Sequence, residues 1–563
     1  MKVEGAEVTG EQHLLAAVVT KAANRIAGAR LVYADGVAAT GEFPLSNGDL
    51  FLPGKAVEIL AGPANDPVSL FTGIVVRQSL KIRDRATPQL VVECRHRAVK
   101  LTVGAKNGYF HDQTDSDIIT ALLEGTGLRA EVAATSVTHK QQVQYDCTDW
   151  DFLLMRAEAN GLLVFTSGEE VAVRAPTMGG TPVCALLFGA TILEMDVQME
   201  ARGQYQAVTG ITWDAAGQEL ATREAADPGI AGPGNHGVEE LAAVVGLDAF
   251  RLQHGAVGLE EAQAWADAQW LKSQLSRITG RIKCEGIATI NPGDLVTLSG
   301  VGDRYNGDAY VSGIRHDFDL VQGWKTHLQF GGLDAWLGRE RQVTAPKAGA
   351  LVPGINGLQL GVVTGNEDPD GEHRVRVRMP LVSGDEDGTW CRVASLDAGD
   401  ERGFFFRPEI GDEVVLGFVD DDPRQAVILG MLHSSAKPAP LAGSDDNHEK
   451  LYQSRARMQF SFNDDTRVIR LETPNGNAIA LSEDEKSVTI ADQNNNTITM
   501  NEDGIAIESS KAITLKAGTE LQIEASTKGT VKSGADLKLE GSAGVELTSS
   551  GVTKVKGSMV QIN

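Results

Sequence analysis

The C-terminal fifth of the chain repeats itself every eight residues. Leu515, Ile523, Val531, Leu539, Leu547 and Val555 are each one step of eight apart, and Gly518, Ser526, Gly534, Ser542, Ser550 and Ser558 keep the same step. Residues two apart in a strand share a face, so Ile513 with Leu515, Leu521 with Ile523, Leu537 with Leu539 and Val545 with Leu547 point inward as pairs. Val531 and Val555 hold the same position in their repeats, whose other inward sites are Gly529 and Thr553. The small residues turn the chain. Each octad offers one apolar face and nothing to cover it, so a lone chain would be an open-edged apolar ribbon. Three intertwined chains would close it into a prism. Similar pairs upstream (Ile479 with Leu481, Val488 with Ile490, Ile498 with Met500, Ile505 with Ile507) extend the pattern at looser spacing. Counted from Gly476 there is room for about eleven octads, a needle on the order of 50 Å long at ~4.7 Å per strand. Lys516, Glu524, Lys532, Glu540 and Lys556 alternate on its outward face, where neighbouring opposite charges contribute ~0.2–1 kcal/mol per pair.

The rest of the 563 residues limits the function. A net charge of -25 argues against a nucleic-acid groove, which needs clustered Lys and Arg. The five cysteines (Cys94, Cys147, Cys184, Cys284, Cys391) are scattered without a CxxC pair, as expected of buried thiols in a reducing compartment. The start, MKVEGAEVTGEQ, lacks the pattern of a signal peptide, and no apolar stretch is long enough for a spanning helix. The expectation is a chain made in the cytoplasm and exported, if at all, by another route.

Two stretches read as linkers, TAPKAGALVPG (Thr344–Gly354) and SSAKPAPLAGSDDNHEK (Ser434–Lys450). They set the expected domains: 1–343, a linker over 344–356, 357–433, a linker over 434–450, and 451–563. The first region reads as short β-branched strands broken by turn residues. Two helices interrupt it: DSDIITALLEGTGL, with Asp115 or Ser116 as N-cap, and the amphipathic Leu259–Arg277, whose Trp265 and Trp270 read as core. A Pro-Gly turn feeding an alternating strand occurs at Pro53 and at Pro292, with Gly-Ile strand entries following at Gly73-Ile74 and Gly313-Ile314. A relative of that turn begins at Pro408. Such turns signal small β-barrels, and the segment from about Gly357 to His433 has the length of an OB-type barrel.

YDCTDWDFLLMRAEANGLLVF (Tyr145–Phe165), GEHRVRVRMPLV, and TWCRVASLDAGDERGFFFRPEIGDEVVLGFVDDDPRQAVILGML, followed by a terminal β-repeat, resemble the VgrG family. These are central spike and baseplate-hub proteins of contractile injection systems, in phage-tail-like particles and type VI secretion. The resemblance covers essentially the whole chain in the expected order. It implies a mainly β protein: two related hub β-barrels with helical insertions, an OB-fold barrel, and a C-terminal intertwined trimeric β-helix. It also implies a homotrimer that meets inner tube and baseplate proteins, carries effector cargo, and transiently meets a target membrane. A PAAR-type tip protein would sit on the blunt end formed by Met559, Val560, Gln561, Ile562 and Asn563. Some relatives carry an enzymatic domain before the needle or a toxin after it. Only the 434–450 linker fills the first position here, and the chain stops at Asn563, which favours an extracellular particle over a type VI apparatus.

Catalytic patterns are weak beside this. DDDP (Asp420–Pro423), HDQTD (His111–Asp115) and NEDPDGEH (Asn366–His373) gather carboxylates, but each lacks its partners and reads as turn chemistry. No GxSxG, HExxH or phosphate loop stands in a suitable context, and the histidines form no HxH pair, so neither cofactor nor metal is expected. A glycan- or wall-degrading tail spike and a trimeric adhesin are the alternatives. Turnover on glycan would favour the first, and direct binding to cells the second.

Overall fold

The computed structural model describes all residues except 9–12, 64, 215–218, 254–256, 334–335, 338–347, 349–351 and 563. Most of the expected 344–356 linker therefore lies outside the described residues. The chain divides into two compact units, Met1–Asn356 with Asp420–Pro423, and Gly357–Val419 with Arg424–Asn563.

The first unit is organised by one thirteen-stranded sheet. Its path runs from Ile192–Met199 through Ile278–Glu285, Gly323–Phe330 and Gly307–Asp319, then on to Leu14–Ala22, Gly28–Ala34, Gln89–Arg95, Val68–Lys81 and Ala56–Ala61. The two halves expected as hub barrels are thus fused edge to edge, with Gly313 to Asp319 paired antiparallel against Ala22 to Ala16. Each half keeps its own core. Leu31, Tyr33, Phe51 and Leu90 fill one, and Leu186, Ile282, Val311 and Phe330 the other.

The Pro-Gly repeat has a common hydrogen-bond bracket. Gly54 N–H donates to the Val75 carbonyl (2.8 Å) and Val75 N–H to the Lys55 carbonyl (2.9 Å). In the other half Gly293 N–H donates to Val311 (2.8 Å) and Val311 N–H to Asp294 (2.9 Å). Both glycines are left-handed, at φ 100° and 98°, which explains the residue type.

Among the described residues four α-helices interrupt the strands: α1 (Asp115–Leu123), α2 (Asp149–Ala159), α3 (Val238–Val245) and α4 (Leu259–Leu275). The N-cap of α1 is Thr114, not Asp115 or Ser116. Its hydroxyl accepts from Asp117 N–H (3.2 Å) while the Asp117 carboxylate accepts from Thr114 N–H (3.1 Å), satisfying two donors at once. α2, within the Tyr145–Phe165 segment, packs Leu153 and Ala157 with Ile119 and Val164 in a separate core.

The second unit begins with a closed barrel of five strands in the order Gln359–Gly365, Val375–Arg378, Thr389–Val393, Ala426–Met431, Glu413–Phe418. Val363, Val375, Val377, Cys391, Val414, Leu416 and Ile428 fill it. The third bracket closes it: Gly411 N–H donates to Val363 (2.8 Å) and Val363 N–H to Asp412 (3.0 Å), with Gly411 at φ 88°. A seven-stranded antiparallel meander follows, Glu449–Gln453, Gln459–Asn463, Val468–Glu472, Ala478–Ser482, Ser487–Ala491, Thr497–Asn501 and Gly504–Glu508. From Ser509 to Ile562 no residue is in a strand.

The meander corrects the octad count. The segment from Gly476 to Glu508 forms antiparallel hairpins within one chain, because polar turn residues such as Pro474-Asn475-Gly476 and Gln493 to Asn496 separate its strands. The strict eight-residue step begins only after them.

Candidate functional site

In the meander the apolar pairs stack directly across strands. Ile479 faces Ile490 and Leu481 faces Val488; Ile490 then faces Ile498, and Val488 faces Met500. Ile498 faces Ile507 and Met500 faces Ile505. Cross-strand neighbours at such close spacing form continuous rows. The opposite face is small and polar, with Arg470, Ala480, Thr489, Thr499 and Ala506 in register.

The apolar face is uncovered. Val488 and Ile498 are half-buried, and its other large side chains run from 36% exposed at Met500 to 70% at Ile505. A monomer seldom shows so long an apolar surface without a partner for it. The octad residues go further: Ile513, Leu515, Leu521, Ile523, Val531, Leu537, Leu539, Val545, Leu547 and Val555 are all exposed. The lone chain brings none of them into a core. Met559, Val560 and Ile562 at the chain end are exposed, Gln561 likewise, and Asn563 lies outside the described residues.

The aromatic end of this surface escaped sequence reasoning. Phe404, Phe405 and Phe406 follow a short hairpin (Ala398–Gly399 with Arg402–Gly403) and are at least half exposed. The Phe406 ring meets Tyr452 edge-on at 4.9 Å, and Tyr452 lies in register with Phe460 in the first hairpin of the meander. The signal available was the FFF run itself, which no barrel core needs.

The carboxylate clusters do other work. Asp368 binds Arg374 through both oxygens (2.9 and 2.8 Å) and accepts from the backbone N–H groups of Asp370, Glu372 and Arg374. The guanidinium beside it holds this carboxyl far below the usual range. A side-chain cation thus fills the loop that loosely suggests a calcium site. Asp420 and Asp421 take left-handed backbone, φ 56° and 55°, as turn residues do. His111 stacks on Tyr109 (6.1 Å). Asp115 is drawn into a buried network instead, 3.1 Å from His139 and 3.4 Å from Arg156, with Asn160 donating to it at 2.7 Å. That network ties α1, α2 and the strand Thr138–Cys147 together. Among the described residues no group of three or more His, Cys, Asp or Glu side chains is placed to hold a metal, and no helix is long and apolar enough to cross a membrane.

A fused double-cored sheet followed by a closed five-stranded barrel and an uncovered apolar meander defines a modular assembly protein. A family model described as the Alg8 N-terminal domain matches residues 1–319, more than half of the chain. A second, the type VI secretion system/phage-baseplate injector OB domain, matches residues 359–433, the closed barrel. Among curated proteins, the chain is 28% identical over 123 residues to the type VI secretion system spike protein VgrG3 of Vibrio cholerae, covering 20% of this chain and 12% of that one. It is 35% identical over 99 residues to the spike protein VgrG4b of Pseudomonas aeruginosa, covering 16% and 12%. A prophage 43 kDa tail protein from Shewanella oneidensis is similar at 13% identity and a TM-score of 0.44, over 59% of this chain and 96% of that one. The matches to these two spike proteins span about an eighth of their length. The chain belongs to the family of the Alg8 N-terminal domain and, with its injector OB barrel, is a VgrG-type protein of contractile injection systems.

Proposed function

We propose that the chain is the central spike of a contractile injection system, a homotrimer that joins inner tube and baseplate to a needle able to pierce a membrane. The observation that carries this reading is the uncovered apolar face of the meander, continued by the octads, in the unit that also holds the injector OB barrel. Two further copies of the same chain bring the same face and the same period, so three ribbons bury one another about an axis with Ile513, Leu515, Leu521, Ile523, Val531, Leu537, Leu539, Val545, Leu547 and Val555 inward. The bracketed Pro-Gly turn in both halves of the hub supports two similar surfaces per chain, six per trimer, facing a six-fold tube.

The domain limits follow the same reading: hub to 343, OB barrel from 357 to 433, needle from 451. The chain acts without a catalytic step, since its carboxylate clusters are engaged in turns and ion pairs. It is made in the cytoplasm and built into a contractile particle that is released from the cell. A PAAR-type tip protein caps Met559, Val560, Gln561, Ile562 and Asn563, where a blunt prism exposes its last edges. Light scattering of the purified chain tests the architecture, with a trimer expected and a monodisperse monomer refuting it. Deleting residues 559–563 should leave a soluble trimer that loses its tip protein. Retention at the normal ratio would remove blunt-end docking.

A further inference from the structure

The octads do not fix their own alignment. Sliding one copy of the chain by eight residues against another returns apolar pairs to apolar pairs and small residues to small residues, apart from the lapses at Gly529 and Thr553. Strands whose pattern repeats under a shift are prone to slippage unless something outside the repeat sets the register.

Residues 463–563 contain no Phe, Tyr or Trp. The bulky rings are gathered at the barrel end of the same surface. Phe404 and Phe406 stack at 5.9 Å, Phe406 meets Tyr452 at 4.9 Å, and Phe460 and Phe462 lie 4.8 Å apart on the next strand. Phe460 faces Leu471 and Phe462 faces Ile469, so the ring patch runs without a break into the aliphatic rows.

The presenting hairpin is firmly built. The Ser395 hydroxyl donates to the carbonyls of Asp397 and Phe404 (3.0 and 2.9 Å), and Arg402 pairs with Asp397 (2.5 Å). Gly403 sits at φ 124°, where an added Cβ would come within 2.2 Å of the Asp397 carbonyl. The rings are therefore held outward by a fixed turn, and Phe405 remains 74% exposed.

We propose that this aromatic patch is a register lock between copies of the chain. Its occupant is the same patch of the neighbouring copies. This rests on the trimeric reading above, and the occupant follows from continuity: a partner that covers the aliphatic rows must also meet the rings that continue them. Large planar side chains gathered at one level, with no counterpart one octad away, pack only when the chains are aligned. The patch thereby selects one alignment from the several that the octads tolerate.

The test uses the full-length chain. Cys94, Cys147, Cys284 and Cys391 are buried and the needle has no cysteine of its own, so Ser550→Cys in a Cys184→Ser background, which removes the half-buried thiol, gives one accessible spin-label site per chain. Pulsed dipolar EPR of the wild-type patch should give one narrow interchain distance. Phe404→Ser/Phe406→Ser/Tyr452→Ser should remain a trimer by light scattering yet give at least two distance components. One narrow distance in that variant overturns the lock. Should the triple variant not yield soluble protein, Phe405→Ser removes a ring whose recorded contact is the Arg407 guanidinium 5.8 Å from its centre, and is read the same way. Hydroxyl-radical footprinting gives a second readout. Protection of Phe404–Phe406 in the purified trimer supports the lock, whereas free reactivity there, with protection only after a tube or baseplate protein is added, assigns the patch to that partner and overturns it. A wild-type chain that is monomeric defeats the trimeric reading itself.

Discussion

Replacing Ile490 with Ala should loosen the proposed trimer in addition to loosening the chain. On full burial the lost part of the side chain is worth about 2.4 kcal/mol, at about 0.8 kcal/mol per methylene. Ile490 is 41% exposed in the chain, so about 1 kcal/mol of that depends on cover from a neighbouring copy. Three chains contribute about 3 kcal/mol, roughly two orders of magnitude in the assembly constant, and a cavity left at the axis adds to it. Thr489→Ala is the control, because Thr489 lies on the opposite face in register with Ala480 and Thr499. Guanidinium unfolding at several protein concentrations separates the two effects, since only the assembly term depends on concentration. Equal shifts for Ile490→Ala and Thr489→Ala would falsify the assignment of faces.

Four other outcomes follow from particular contacts. Leu539→Asp puts carboxylates around one axis and should abolish trimers by light scattering, whereas Lys538→Asp should leave them; equal tolerance refutes the inward assignment of Leu539. Gly388→Ala should open the OB barrel, because Gly388 has φ 90° and a Cβ there would lie 2.0 Å from the Val377 carbonyl; rapid proteolysis within 357–433 is the readout, and a protease-resistant variant would contradict it. His316, 3% exposed, has its pKa pushed down to about 4, first by burial and then by the nearby Lys21 charge. The unfolded chain therefore takes up the proton first as pH falls below 6.5, and the first unit should lose up to about 3 kcal/mol by pH 4; calorimetry of His316→Gln should show a smaller loss, and an unchanged one refutes the attribution. Arg156→Met removes the cation 3.4 Å from buried Asp115 and should cost about 3 kcal/mol in chemical denaturation, with no measurable cost counting against the network.

Local rules were legible wherever one residue type answers one backbone demand. The Pro-Gly repeat is such a case, because a left-handed glycine between two reciprocal hydrogen bonds is a short-range requirement and recurs at Gly54, Gly293 and Gly411. The third copy closes a barrel of only five strands, while the first two lie in halves fused through the Gly313–Asp319 pairing. That pairing joins residues about three hundred positions apart, and no local pattern announces it. The start of α1 lies one residue before the expected Asp115 or Ser116. Thr114 with Asp117 and Thr148 with Asp151 have the same spacing, and both threonines cap a helix through a hydroxyl that accepts from the backbone N–H three residues on. The Asp115, His139, Arg156 network brings together distant residues whose polarity suggests surface positions until the fold buries them.

The meander shows that the face a side chain takes and the strand it lies beside are separate questions. Ile479 with Leu481 and Val488 with Ile490 do share one face, as their spacing requires, yet they belong to hairpins of a single chain. Alternation reports which way a side chain points and is silent about which strand lies beside it. The neighbour is decided by the connector. Four polar residues, Glu483 to Lys486, separate two of the meander strands and let the chain reverse onto itself. Beyond Glu508 the eight-residue step shortens the connector, small residues replace the polar clusters, and among the described residues none is in a strand. Backbone groups left without a partner in their own chain need one elsewhere. The change in connector chemistry at Glu508 therefore supports placing the boundary there between a ribbon that pairs with itself and one that pairs with copies, and the aromatic patch lies on the self-paired side, where it can form before the repeating part has to choose its alignment.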